Sequence, residues 1–179
     1  MNVVRSIESG ELVKAIHAGK IFMYPTDTIY GLGCDATNEK AVAKIKKIKQ
    51  RDAIKPLSVI APSFDWIKKN FIIDVDLERY LPGPYTVVLK KKEKNFLQWI
   101  LHGESIGVRI PDTSFTKQIQ AAGVPFVTTS VNFAGEAFAK RVSDISPELK
   151  KAVDYIIDAG VLQAKPSTLI MNGKEIERK

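Results

Sequence analysis

Tyr24-Pro25-Thr26-Asp27-Thr28-Ile29-Tyr30-Gly31-Leu32-Gly33 is the stretch whose reading decides the fold. Ile21 to Tyr24 form a hydrophobic strand that Pro25 stops. Three small polar groups follow at once, and Gly31 and Gly33 are expected to let the backbone turn tightly. Hydroxyls, a carboxylate and bare backbone at the C-terminal end of a strand are the materials of a small-molecule site in an α/β sheet. The competing reading is a Thr/Gly-rich turn that binds nothing.

Outward from this stretch, strand-like runs alternate with helical patterns. Strands are expected over 21–24, 57–61, 85–91, 105–110, 124–131, 155–158 and 167–171, and helices over 9–18, 39–50, 64–70, 74–80, 114–122 and 147–153. Ser9, Asn38, Ser63, Asp74, Thr113 or Ser114, and Ser146 are candidate N-caps, and Pro147 suits a first helical position. Asn172-Gly173 between apolar residues signals a hairpin. The alternation predicts one α/β domain over 1–179 with a mixed, twisted sheet.

Composition narrows the class. With 179 residues, 45% of them hydrophobic, the chain can bury a full core. No run approaches the roughly 18 apolar residues of a membrane span. No secretory pattern opens the chain, so residues 1–20 are expected to belong to the fold. A lone cysteine, Cys34, suits a reducing cytosol, and two distant histidines make a His/Cys metal site improbable. The net charge of +7 favours anionic partners such as nucleotides or RNA.

Three further constellations could carry chemistry. On the 39–50 helix, Ala41, Val42, Ile45 and Ile48 form an apolar arc about 120° wide. Lys49 falls inside that arc, where an ammonium needs an acceptor, and Arg51 and Lys55 follow it. The readings are a snorkelling lysine or a Lys-x-Arg pair gathering a polyanion. In 124–132, Thr128, Ser130 and Asn132 share one strand face, opposite Val127, Thr129 and Val131. Arg109, at a strand end stopped by Pro111, suits either bidentate capture of a carboxylate or phosphate or an internal salt bridge. Gly31-x-Gly33-x-x-Ala36 only imitates a dinucleotide fingerprint, and no P-loop is present. Lys90-Lys91-Lys92 is expected to face solvent.

These segments together resemble the threonylcarbamoyl-AMP synthase family, the YrdC-like proteins of tRNA modification, in its short single-domain form. The resemblance rests on Tyr24 to Leu32, Lys49-x-Arg51 with Lys55-Pro56-Leu57, Leu81-Pro-Gly-Pro-Tyr-Thr86, Gly107-Val-Arg-Ile-Pro111, Ser130-x-Asn132 and Pro166-Ser-Thr-Leu169, in the family's order across nearly the whole chain. It implies a twisted open mixed sheet with helices on its faces and a large concave basic cavity. It also implies synthesis of L-threonylcarbamoyl-AMP from L-threonine, bicarbonate or CO2 and ATP, with Mg²⁺ carried by the nucleotide and pyrophosphate released. The product would pass to a downstream transferase that modifies adenosine 37 of tRNA. By matching position, Thr28, Arg109, Thr128 and Ser167 would hold threonine. Arg51, Lys55, Ser105, Ser130, Asn132 and the late Arg178 would hold ATP, with Lys49 and Arg51 as the catalytic cations.

In that chemistry the threonine amine adds CO2, and the carbamate oxygen then attacks the α-phosphorus of ATP. Water exclusion and juxtaposition matter more than a strong base. Lys49→Ala or Arg51→Ala is expected to abolish product while leaving the fold intact. Asp27 is a candidate Mg²⁺ ligand, with fixing of its turn as the alternative. Ile60 stands where many relatives carry a histidine near threonine, and Val131 and Phe133-Ala134-Gly135 also depart from the pattern. The alternatives are an RNA-binding paralogue of the same fold, contacting tRNA or double-stranded RNA without the synthase activity, and a carbamoyl-transfer domain like those embedded in hydrogenase maturation factors.

Overall fold

A computed structural model describes residues 2–4, 8–49, 57–101, 103–133 and 136–178. In chain order the elements are β1 (Asn2–Val4), α1 (Ser9–His17), β2 (Phe22–Pro25), β3 (Tyr30–Gly33), α2 (Glu39–Ile48), β4 (Ser58–Ile60), α3 (Phe64–Asn70), β5 (Phe71–Ile72) and β6 (Tyr85–Lys91). There follow β7 (Ser105–Arg109), α4 (Ser114–Ala122), β8 (Phe126–Ser130), α5 (Pro147–Lys151), β9 (Tyr155–Ile157), β10 (Thr168–Met171) and β11 (Lys174–Ile176). The strands form one mixed sheet in the order β1-β9-β2-β3-β8-β4-β7-β6-β10-β11, with β5 added beside β6. None of the described helices is long and apolar enough to cross a membrane.

Ile21 to Tyr24 are apolar at every position because both faces of the sheet are covered there. Phe22 and Tyr24 pack with Leu12 and Ile16 of α1 and Phe115 and Ile119 of α4. Ile21 and Met23 point into the opposite cluster, with Val42 and Ile45 of α2. Cys34 is fully buried, and burial pushes its thiol pKa up.

Most local signals hold. The side chains of Asn38, Ser63, Thr113 and Ser146 each accept a backbone N–H in the first turn of α2, α3, α4 and α5. Ser9 instead lies inside α1, whose N-cap is Glu8. Asn172 and Gly173, both at positive φ, join β10 to β11 as the expected two-residue hairpin.

Three expectations fail. Residues 74–80 make only a single turn, closed by Leu81 N–H donating to Leu77 O at 2.8 Å, because Pro82 and Pro84 prevent continuation. Lys91 does not face solvent. It is 4% exposed, at a β6 position that period two turns inward, and its ammonium donates to the Lys94 and Leu101 carbonyls at 2.9 and 3.4 Å. Finally, Gly31 and Gly33 do not turn the chain. They lie in β3, antiparallel to β2, and their value is close approach. A Cβ on Gly31 would stand 2.9 Å from the Tyr24 ring, and one on Gly33 would stand 1.9 Å from the Val127 carbonyl oxygen.

Candidate functional site

The reversal between β2 and β3 is fixed by Thr26. Its hydroxyl accepts the N–H groups of Thr28 and Ile29 at 3.1 and 3.2 Å and donates to Ile29 O at 2.7 Å. Asp27 is thereby released from turn duty. Its Oδ1 lies 2.5 Å from Arg109 Nη2, and its Oδ2 accepts the Asp112 N–H at 3.2 Å. Asp27 is the counter-ion of Arg109, which replaces the reading of it as turn-former. Arg109, 6% exposed at the end of β7, also donates to Thr28 Oγ1 at 3.4 and 3.5 Å. Burial lowers its pKa and Asp27 opposes that, so the guanidinium stays charged. Its Nε–H is buried with no partner among the described residues. An unsatisfied charged donor beside a cavity is a site prepared for an acceptor that a ligand brings.

The cavity itself has a volume of about 590 Å³ including its open mouth. Thr26, Thr28, Tyr30 and Gly31 form one wall, and Thr128, Thr129 and Ser130 of β8 another. Ser58, Thr86, Arg109, Ser167 and Arg178 close it across β4, β7, β6 and β10. Its described lining carries two arginines, no carboxylate and a ring of hydroxyls. At the β10 end, Ser167 and Thr86 share a hydrogen bond of 2.8 Å, and Arg178 Nη2 donates to both hydroxyls. Residue 178 is exposed as a whole, yet its guanidinium pKa is lowered by desolvation and by the charge of Arg109. Gly107 makes room here, since a Cβ would stand 2.6 Å from Ser58 Oγ and 3.0 Å from Thr86 Cγ2.

Lys49 resolves differently from a free phosphate-binding lysine. It follows α2 directly, is 2% exposed, and its ammonium donates to Ser130 O at 2.7 Å, to Asn132 O, and to Asn132 Oδ1 at 3.2 Å. The acceptor that its place on the apolar arc required is the backbone after β8. Lys49→Ala is therefore expected to lower stability by about 2–3 kcal/mol as well as activity, because those buried oxygens lose a charged donor. A thermal melt that matches wild type would contradict this.

The Sua5/YciO/YrdC family model, described as telomere recombination, matches residues 14–178. The chain belongs to this family. A Methanocaldococcus jannaschii protein provisionally named threonylcarbamoyl-AMP synthase is 40% identical over 164 residues, covering 89% of this chain and 77% of that protein. The threonylcarbamoyl-AMP synthase of Chromohalobacter salexigens is 32% identical over 179 residues, covering 94% and 95%. P. abyssi Sua5, solved in complex with L-threonine, superposes at a TM-score of 0.79 with 26% identity over 95% of this chain, which spans 54% of that longer one.

Within this family member, the four residues matched to threonine (Thr28, Arg109, Thr128 and Ser167) all line the one cavity. Ser130 and Arg178, matched to ATP, line it too. Lys49 and Asn132 stand behind the β8 wall and do not line it. Ser105 is not brought in either: it opens β7 opposite Lys90, four residues before Arg109, roughly 13 Å away along an extended strand. Arg51 and Lys55 lie outside the described residues, as do Ala134 and Gly135. Ile60 is fully buried beside Phe22 and Tyr24 in the α1–α4 cluster and does not reach the cavity. Thr129, expected on the opposite strand face, contributes to the lining where β8 ends.

Sequence reasoning gave no role to Ser58 or Thr86. The signal for both was available, a lone hydroxyl residue within an otherwise apolar strand run. Phe138 and Pro166, which add the apolar part of the lining, carried no periodic signal because both sit in irregular segments.

Proposed function

We infer that this protein is a nucleotidyltransferase that makes L-threonylcarbamoyl-AMP from L-threonine, bicarbonate or CO2 and ATP with release of pyrophosphate, the adenylate then passing to a later tRNA-modifying transferase. The observation that carries the reading is that a single cavity gathers the positions matched to threonine and two of those matched to the nucleotide. Arg109, with an unpaired Nε–H and its charge held by Asp27, suits the threonine carboxylate. Thr28, Thr128 and Ser167 offer hydroxyls for the rest of the amino acid.

The threonine nitrogen bonds to CO2 with loss of a proton, and a carbamate oxygen then forms a bond to the α-phosphorus as the bond to pyrophosphate breaks. A walled, hydroxyl-lined pocket keeps the short-lived carbamate away from water and near the phosphorus. Arg178, and Arg51 by family match, oppose the charge that develops on the phosphates. Mg²⁺ would arrive on ATP. When bound, it would neutralise phosphate charge.

The test is incubation with ATP, Mg²⁺, bicarbonate and L-threonine, followed by mass spectrometry for the adenylate, with threonine omitted as control. Absence of the adenylate from folded protein that nonetheless binds RNA tightly would favour the RNA-binding alternative.

A further inference from the structure

Thr86 is buried (1% exposed), lines the cavity and has no part in the chemistry above. It sits in β6, paired with Leu169 of the parallel β10, so its hydroxyl meets Ser167 just before that strand begins. Three groups form a closed triangle there. Thr86 Oγ1 and Ser167 Oγ are 2.8 Å apart, Arg178 Nη2 donates to Thr86 Oγ1 at 3.2 Å, and it also donates to Ser167 Oγ. Arg178 Nε is tied to the Ser167 carbonyl at 2.8 Å.

Counting protons shows what this triangle presents. The two hydrogens of Nη2 satisfy one lone pair on each hydroxyl oxygen. One hydroxyl must then donate to the other, which fills the second lone pair of the acceptor. The accepting hydroxyl keeps its own proton with no further acceptor in the triangle. Whichever way the pair is polarised, the unit offers a ligand that O–H and the remaining guanidinium N–H groups as donors, and one lone pair on the donating hydroxyl as an acceptor. The surplus of donors, charged ones among them, favours an anionic oxygen. The lowered pKa of Arg178, caused by desolvation and by Arg109, fits a cation awaiting an anion.

We propose that Thr86 is a positioning residue that locks Ser167, on the threonine side, to Arg178, on the nucleotide side, and so couples the binding of the two substrates. The proposal rests on the synthase reading. Without the Thr86 hydroxyl, Ser167 and Arg178 each lose one partner and keep only their direct contacts, so each substrate pre-arranges less well the group that the other uses. Space for Thr86 is secured by Gly107, whose missing Cβ would press on the Thr86 methyl at 3.0 Å.

The test is isothermal titration of L-threonine and of a non-hydrolysable ATP analogue, each alone and each with the other saturating. Wild type, Thr86→Val and Thr86→Ser are compared, with Thr86→Ala in place of valine if that variant does not fold. Wild type is expected to bind threonine several-fold more tightly when the analogue is present. Thr86→Val should weaken threonine binding about tenfold or more, as loss of a hydrogen bond in a charged network does, and bring the coupling ratio to one. Thr86→Ser should restore both, and steady-state rates should show raised KM with kcat changed far less.

A merely structural role would lower affinity without altering the coupling ratio, and that result would overturn the proposal. So would wild-type coupling in Thr86→Val, or no coupling in wild type. Failure of wild type to bind threonine or the analogue at all would bring down the synthase reading itself, and the coupling role with it.

Discussion

Arg109→Ala is expected to produce no threonylcarbamoyl-AMP and to lose about 3–5 kcal/mol of stability. The two effects have one origin. Arg109 and Asp27 are both deeply buried, with side chains 7% and 13% exposed. Removing the guanidinium leaves an uncompensated carboxylate in a low-dielectric pocket and strips Thr28 Oγ1 of its donor. The double variant Arg109→Ala/Asp27→Ala separates the effects. It should recover much of the stability, because no lone charge is left, and recover none of the activity. Chemical denaturation with a product assay reads both. If Arg109→Ala retained wild-type threonine affinity, the assignment of the substrate carboxylate to this residue would be wrong.

Gly33→Ala is expected to be the most damaging single methyl in the protein. The new carbon would stand 1.9 Å from the Val127 carbonyl and 2.7 Å from the Phe126 ring. Neither can retreat cheaply: the carbonyl is backbone of a central strand, and Phe126 is fully buried in an aromatic cluster with Phe22, Tyr24 and Phe115. Separating β3 from β8 by more than an ångström is the available response. We expect a loss above about 4 kcal/mol, beyond ordinary overpacking, and a thermal midpoint lowered by roughly 10 °C or more. Gly10→Ala is the matched control, since nothing lies within 4 Å of its Cβ position on α1. It should leave stability unchanged or raised by up to about 1 kcal/mol. A Gly33→Ala melt indistinguishable from that of Gly10→Ala would refute the close-approach account.

The fold was largely legible because its signals are local. Caps at Asn38, Ser63, Thr113 and Ser146, the Asn172-Gly173 turn and apolar runs on doubly covered strands each act within a few residues. What escaped depends on distant partners. Gly31 and Gly33 looked like turn residues because a glycine announces freedom, whereas here it answers to Tyr24 and to a carbonyl almost a hundred positions away. Lys91 read as one of three solvated lysines because the carbonyls that receive it come from the irregular segment after β6.

The site divides on the same line. Thr28, Arg109, Thr128 and Ser167 could be named because each belongs to a recognisable segment. That Asp27 neutralises Arg109, that Lys49 braces the backbone after β8, and that Thr86 stands between Ser167 and Arg178 are pairings made by the sheet order. No spacing within one segment encodes them.

Because β3, β4, β6, β7, β8 and β10 all contribute to or adjoin one cavity, a bound substrate reports on the whole sheet. Threonine or nucleotide held there must leave before any of these strands can separate, so occupancy adds its mass-action free energy to global unfolding rather than to a loop. At a hundredfold excess over Kd that is about 2.7 kcal/mol, which should slow amide exchange in the core of β6 and β8 together, even though their residues are forty positions apart. The enzyme at work and the enzyme at rest would then differ in lifetime, and starvation for substrate would become a state in which the protein is easier to unfold and degrade.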